Sequence, residues 1–370
     1  VLRFLCLFLA ASLPWRATAQ AADGPAPSIV WTDVRTLGLE GQGWSDTRAP
    51  LDRLPARAEG GVRDAVWNLS RHSAGLHVRF ITDATEIRAR WAVTSANLAM
   101  PHMAATGVSG LDLYAKNDRG DWRWLAVGRP DKQTNDVVLV SGLPAQRREY
   151  LLYLPLYNGT RFAEIGVSSS AELITAGPWG TGSRRPILFY GTSILHGACA
   201  SRPGMTHAAI LGRRFHVPHI NLGFSGNGRM EPELAALLAE LDPSVYVLDC
   251  LPNMNATEVT ERVEPFVRTL RNAHPKTPIV LVEDRSYADA FLVTSKRERN
   301  DSSRAALRAA FQRLKKSGVK DLHYLAGAHL LGDDGEGTVD SSHPNDLGFM
   351  RQADAHARVL GPLLRRAVRR

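Results

Sequence analysis

"ILFYGTSILHG" (residues 187–197) is an apolar run that stops at a glycine, offers Thr192 and Ser193, and passes into a helical pattern. Two readings are open for Ser193. Ser and Thr are preferred helix caps, their side-chain oxygens accepting an orphan backbone N–H, so a Gly-Thr-Ser after a strand is ordinary loop chemistry. Alternatively, Ser193 is a nucleophile held at the end of a strand. The choice depends on partners elsewhere in the chain.

Downstream, the runs "HVPHINL", "SVYVLDCL", "PIVLVE" and "LHYLA" repeat the texture of "ILFY", alternating with helical patterns such as "EPELAALLAEL" and "SSRAALRAAFQRLKKSG". Near-continuous apolar strands separated by helices are the signature of a parallel sheet covered on both faces. This half is expected to be a flavodoxin-like, doubly wound α/β domain, whose site lies beyond the carboxyl ends of the strands.

Upstream the period is two. In "LHVRFIT", Leu76, Val78 and Phe80 share a face. In "EIRARWAV", Ile87, Ala89 and Trp91 do so, with Arg88 and Arg90 opposite. "LDLYAKNDRGDWRWLAV" reads as two strands around the turn "NDRG", and "REYLLYLPLY" as another. Short strands with hardly any helix imply a β-sandwich or jelly roll. A length of 370 residues suits two domains. The expected division is 26–176 for the sandwich, 177–186 for a Gly-rich basic linker, and 187–370 for the α/β domain.

Residues 1–19 differ from both. Arg3, the apolar "FLCLFLAASL" and the small-residue "ATA" read as a secretory signal peptide, so the expectation is export to the periplasm or beyond. No later apolar run reaches the ~20 residues of a membrane helix, so no anchor is expected. Cleavage would lower the formal charge from +8 to +6, since Arg3 and Arg16 go and no acid does. The basic C-terminal "RRAVRR" has no aromatic-studded stripe beside it, which argues against nucleic acid. Cys6 would leave with the signal. Cys199 and Cys250 either pair in an oxidising compartment or are two small buried apolar residues. No CxxC or Cys/His cluster suggests a metal.

The loops after the strands carry the chemistry. "NLGFSGNG" (221–228) has three glycines that let backbone N–H groups approach a ligand; a flexible loop is the plainer explanation. "CLPNMNA" places Asn253 and Asn255 at the rim, where Asn also caps helices. "DSSHPND" (340–346) sets Asp340 three residues before His343, a spacing that lets the carboxylate fix the imidazole tautomer as a general base requires. A satisfied structural His and a capping Asp346 are the plain alternatives. Together the four loops bring Ser, Gly, Asn and Asp-x-x-His to one edge of one sheet.

These motifs, over about residues 186–365, resemble the SGNH hydrolases, or GDSL esterase/lipase superfamily. "SGLDLY" (109–114) resembles the Gly-x-Asp-Leu-Tyr signature of the β-domain that precedes the catalytic domain in one exported branch. The resemblance implies Ser193 as nucleophile, His343 as base and Asp340 as its orienter. It also implies an oxyanion hole from the N–H groups of Ser193 and Gly226 and the Asn253 amide, with Asn255 as fallback. Thr192 stands where the family usually has Asp, and "LPNM" replaces Gly-x-Asn-Asp. Leu195 in place of Gly argues against the Gly-x-Ser-x-Gly elbow of the α/β-hydrolases.

The expectation is an exported, cofactor-free serine esterase acting on small-molecule or polysaccharide esters, O-acetyl groups on carbohydrates above all. A lysophospholipase or thioesterase, an acetyl transferase, and a non-catalytic carbohydrate-binding protein are the alternatives. Residues 284–301 are expected to overhang the Ser193 edge and, through Arg285, Tyr287, Lys296 and Arg297, to make it polar and cationic. Trp122, Trp124 and Trp179 are candidates for stacking on sugar rings.

Overall fold

The computed structural model describes residues 28–180 and 185–368. The signal-peptide reading, on residues 1–19, lies outside them, as does part of the expected linker.

The first ten strands are β1 (Ile29–Asp33), β2 (Leu39–Glu40), β3 (His77–Thr82), β4 (Glu86–Val93), β5 (Leu111–Lys116), β6 (Trp122–Gly128), β7 (Thr134–Ser141), β8 (Arg148–Tyr153), β9 (Thr160–Ser168) and β10 (Leu173–Thr175). They form two antiparallel sheets, β1-β9-β4-β7 and β10-β3-β8-β5-β6, with β2 added on β3. The period-two faces meet between them: Val78 and Phe80 of β3, and Ile87, Ala89 and Trp91 of β4, are fully buried in one core with Leu111, Leu113 and Leu152. The half is not free of helix. The connections carry α1 (Asp64–Ser70) and α2 (Ala105–Val108), together with 3-10 turns.

The second half is a five-stranded parallel sheet in the order β12-β11-β13-β14-β15: β11 (Ile187–Gly191), β12 (His219–Gly223), β13 (Val245–Asp249), β14 (Ile279–Val282) and β15 (Leu322–Leu325). This is the doubly wound order expected from the alternating pattern. Its helices are α3 (Ser193–His196), α4 (His207–Phe215), α5 (Pro232–Leu238), α6 (Ala256–Ala273), α7 (Thr294–Lys316) and α8 (Asp346–Val368). One face of the sheet packs Tyr190, Leu222 and Leu248 on α5, α6 and α7. The other packs Phe189, Val247 and Val280 on α4 and α8. Every residue of β11, β12, β13 and β14 is therefore buried, which is why these strands read as unbroken apolar runs. The register aligns Gly191 with Gly223 on one side and Asp249 on the other, so the loops after three strands start at one level.

The two halves are interlocked. The chain between β2 and β3 leaves the antiparallel sheets, and Trp44, Leu54, Val62, Val66 and Trp67 join the core beneath α5 and α6. The Gly-x-Asp-Leu-Tyr motif forms a second clamp. Asp112 on β5 is fully buried and accepts from Gly204 N and Arg202 Nη1, both at 2.8 Å, and from Trp124 Nε1 at 3.0 Å. Burial raises the Asp112 pKa despite Arg202, so the clamp encloses a carboxylate at an energetic cost. Gly204 has to be glycine: a Cβ there would sit 2.4 Å from the Tyr114 ring. Two of the candidate sugar-stacking aromatics belong to this seam. Trp179 is 6% exposed in a cluster with Tyr114 and Tyr153, and Trp122 packs against it. Trp124 is half exposed.

Candidate active site

Thr192 is the residue in cap position before α3, its Oγ1 accepting from Ile194 N at 3.4 Å. Ser193 is the first helical residue, and its Oγ lies 2.8 Å from His343 Nε2. The ring's other nitrogen, Nδ1, is 2.7 Å from Asp340 Oδ2. Asp340 Oδ1 accepts the backbone N–H of His343 at 2.8 Å and of Ser342 at 3.1 Å. Burial pushes the Asp340 carboxyl up, but these bonds from His343 and Ser342 outweigh it and hold the carboxyl below its ordinary value. An ionised carboxylate on Nδ1–H leaves Nε2 as the acceptor facing the serine hydroxyl. Asp346 does not cap α8. Its carboxylate takes the Ser201 N–H at 3.0 Å, while Asn345 Oδ1 accepts from Gly348 N at 3.0 Å.

The loop after β12 is fastened to the turn bearing Ser193: Phe224 N donates to Gly191 O at 3.0 Å. A Cβ on Gly228 would lie 2.2 Å from that same carbonyl oxygen, so only glycine permits the approach. Gly226 is exposed at the turn tip with φ +70°. Asn253 lies in the 3-10 turn after β13 and accepts the Gly228 N–H on Oδ1 at 3.2 Å. That bond assigns the acceptor end of its amide and leaves the NH2 end as the donor an oxyanion needs. Arg299 of α7 holds this turn through Pro252 O at 2.8 Å. Asn255, the fallback, caps α6, its Oδ1 accepting from Glu258 N at 2.9 Å in a reciprocal box.

Residues 284–301 do reach the loop bearing Asp340 and His343, but not with the expected cationic face. Arg285 is 2% exposed and forms a two-pronged pair with Asp249. Lys296 is taken up by Asp289. Ala288 N donates to Ser341 O at 2.9 Å, and the Ser341 hydroxyl donates to Asp289. Arg297 and Tyr287 line a cavity of about 410 Å³ beside this loop, and the segment's tip is apolar, with Phe291 and Leu292 each 75% exposed.

Among the described residues, His207, Asp249 and His356 can bring ligand atoms within 4.8 Å of one another. Arg285 already neutralises that carboxylate, so a divalent cation would add two uncompensated charges to a fully buried pocket, an arrangement disfavoured by desolvation. Cys199 and Cys250 are both free and buried.

Two residues near Ser193 and His343 escaped the sequence reading. The His102 ring lies 6.2 Å from that of His343. Tyr157 Oη donates to Ser193 O at 3.2 Å. Both come from the antiparallel half, and no local pattern marks them.

The GDSL-like lipase/acylhydrolase model matches residues 184–361, and the model for the N-terminus of SGNH-hydrolase-type esterases matches residues 29–173. A Bacteroides ovatus ATCC 8483 structure of the GDSL-like lipase type is 37% identical, with TM-score 0.86, covering 91% of this chain and 98% of that one. A salicylyl-acyltransferase from a tetracycline biosynthetic pathway (21% identity, TM-score 0.70, 92% and 98% covered) shares the fold. So does a family two carbohydrate esterase from Clostridium thermocellum (16%, 0.54, 78% and 93%). No curated protein matches the chain. The chain thus belongs to the GDSL-like lipase/acylhydrolase family, in the branch carrying the SGNH-esterase N-terminus, and is a carboxylic ester hydrolase.

Proposed function

We propose that the protein is an exported serine esterase that removes short acyl groups, O-acetyl first among them, from carbohydrates. The observation that carries the catalytic part is the unbroken line Ser193 Oγ, His343 Nε2, His343 Nδ1, Asp340 Oδ2, with contacts of 2.8 and 2.7 Å. Ser193 attacks the ester carbonyl as His343 takes its proton, and Asp340 stabilises the imidazolium. The tetrahedral oxyanion is met by the N–H groups of Ser193 and Gly226 and by the Asn253 amide. His343 then returns the proton to the departing alcohol. Water, activated by the same imidazole, attacks the acyl-enzyme and regenerates Ser193.

The carbohydrate assignment is supported by the fold shared with a carbohydrate esterase and by polar groups, Tyr287 and Arg297, in the cavity flanking the triad loop. Export rests on residues 1–19; among the described residues, no helix is long and apolar enough to cross a membrane. The division into 26–176, 177–186 and 187–370 remains our reading of the chain, with the segment before β3 packed across it. The apolar Phe291–Leu292 tip favours a second reading, a longer acyl substrate of the lysophospholipase or thioesterase kind. The kcat/KM of p-nitrophenyl esters from two to eight carbons separates the two. We expect acetate to be fastest; a steady rise toward octanoate overturns the acetyl assignment.

A further inference from the structure

We propose that Arg53 and Tyr157, both contributed by the antiparallel half, are positioning residues that hold the two turns from which the oxyanion donors project; this rests on the serine-esterase reading above. Arg53 is 1% exposed. Its guanidinium donates to four backbone carbonyls: Asn221 O at 3.1 Å, Gly223 O at 2.8 Å, His72 O at 2.8 Å and Leu69 O at 2.6 Å. A buried cation is costly, and a salt bridge is its usual compensation. Here the charge is solvated by peptide dipoles, and its neighbour Asp52 is engaged by Arg71. Burial lowers the Arg53 pKa, with Tyr157 and Asp52 opposing.

What Arg53 grips is the end of β12, where the chain turns into the loop bearing Gly226. The peptide whose carbonyl is Gly223 O has Phe224 N as its amide, and that amide donates to Gly191 O at 3.0 Å. The guanidinium therefore polarises a peptide that itself fastens the oxyanion loop to the nucleophile turn, and linked hydrogen bonds of this kind strengthen one another.

Tyr157 joins the same two turns from another side. Its hydroxyl donates to Ser193 O at 3.2 Å and has the Ser225 side chain as a further hydrogen-bond partner. Burial raises the phenol pKa, so it stays a donor. Its ring stacks on His196 at 4.1 Å, which keeps the phenol in place without the hydroxyl. Held at Gly223, Ser193 and Ser225, the two turns cannot drift apart as charge develops on the substrate oxygen, and preorganised donors act mainly in the transition state.

The test uses the full chain with p-nitrophenyl acetate, together with the rate at which a fluorophosphonate labels Ser193. Tyr157→Phe keeps the ring and is expected to lower kcat and the labelling rate about tenfold, with KM and Tm little changed, as loss of a transition-state-only interaction does. Arg53→Met is expected to lose more, and Arg53→Lys, a cation without the fork, to recover part of it. Should Arg53→Met fail to fold, Tyr157→Phe decides alone. If the wild type hydrolyses ester and labels at Ser193 while Tyr157→Phe matches it, or loses only in KM, the positioning role is wrong and the esterase reading stands. If the wild type neither hydrolyses nor labels, the esterase reading falls and takes this inference with it.

Discussion

The two ends of the proposed triad are built differently. Ser193 is 7% exposed in a turn fixed by the sheet: Gly191 pairs in register on both sides, Phe224 N is bonded to Gly191 O, and Gly228 leaves no room for a Cβ. The His343 and Asp340 side chains are 25% and 41% exposed on a loop beyond the last strand. That loop is held by a short bridge between Thr338 and Pro344 and by side-chain bonds to the segment after β14. Backbone and packing fix Ser193, the proposed nucleophile; a handful of exchangeable polar contacts fix His343, the proposed base. The difference predicts that the nucleophile end tolerates little, whereas the base end can be loosened by degrees.

The largest effect tests whether the two ends act as one. Ser193→Ala and His343→Ala should each lower kcat by about 10⁴-fold or more, and the double variant should be little worse, because members of a shared step are non-additive. Losses that multiply would show that the 2.8 Å contact is not catalytic. A Ser193→Ala variant with full activity would leave Ser193 as no more than the first residue of α3.

The next effects compare the ends directly. Asn253→Ala, on the sheet-fixed side, should cut kcat by about 10² to 10³ with KM nearly unchanged, since the amide acts on charge present only in the transition state. A change in KM alone would move Asn253 to substrate binding. Asp340→Asn, on the exposed side, should cost about 10² because it imposes the wrong tautomer, less than a fully buried orienter would, since water reaches this carboxylate. Equal losses for Asp340→Asn and Ser193→Ala would erase the distinction between a rigid and a pliable end.

The sheet-fixed end is also the part that could be read in the chain. Apolar strands covered on both faces leave long unbroken runs, and the loop at each carboxyl end follows from them, so Ser193, Gly226 and Asn253 could be placed beforehand. Asp340 and His343 could be paired because three residues within one turn is a local relation. Arg53, Tyr157 and His102 could not, because their partners lie 36 to 241 positions away, as Arg53 to Gly223, Tyr157 to Ser193 and His102 to His343 show. The cations of residues 284–301 misled for a similar reason. Charge in a sequence suggests a solvated face, but Arg285 found a buried carboxylate on β13. The Trp179 ring was likewise claimed by the seam, where Arg79 lies over it at 4.3 Å.

The smallest expected effect lies with Asp289, which holds the base loop without touching the triad. Its carboxylate accepts from the Ser341 hydroxyl and pairs with Lys296. Ser341 has φ +76°, a left-handed conformation costly for serine, so the loop needs such anchoring. Asp289→Asn keeps the shape and weakens the charge-assisted bonds; kcat should fall about three- to tenfold. The sign with pH follows from its shift. The bond to Lys296, then that to Ser341, holds the Asp289 pKa below its ordinary value. The clasp is therefore fully charged above the unfolded-state value of about 3.9 and is lost only as pH falls through the lower folded value. The ratio of variant to wild-type kcat should accordingly stay flat from pH 8 to 5. A ratio that closes toward one across that window would mean that a group titrating nearer neutrality, and not Asp289, holds the base end of the triad in place.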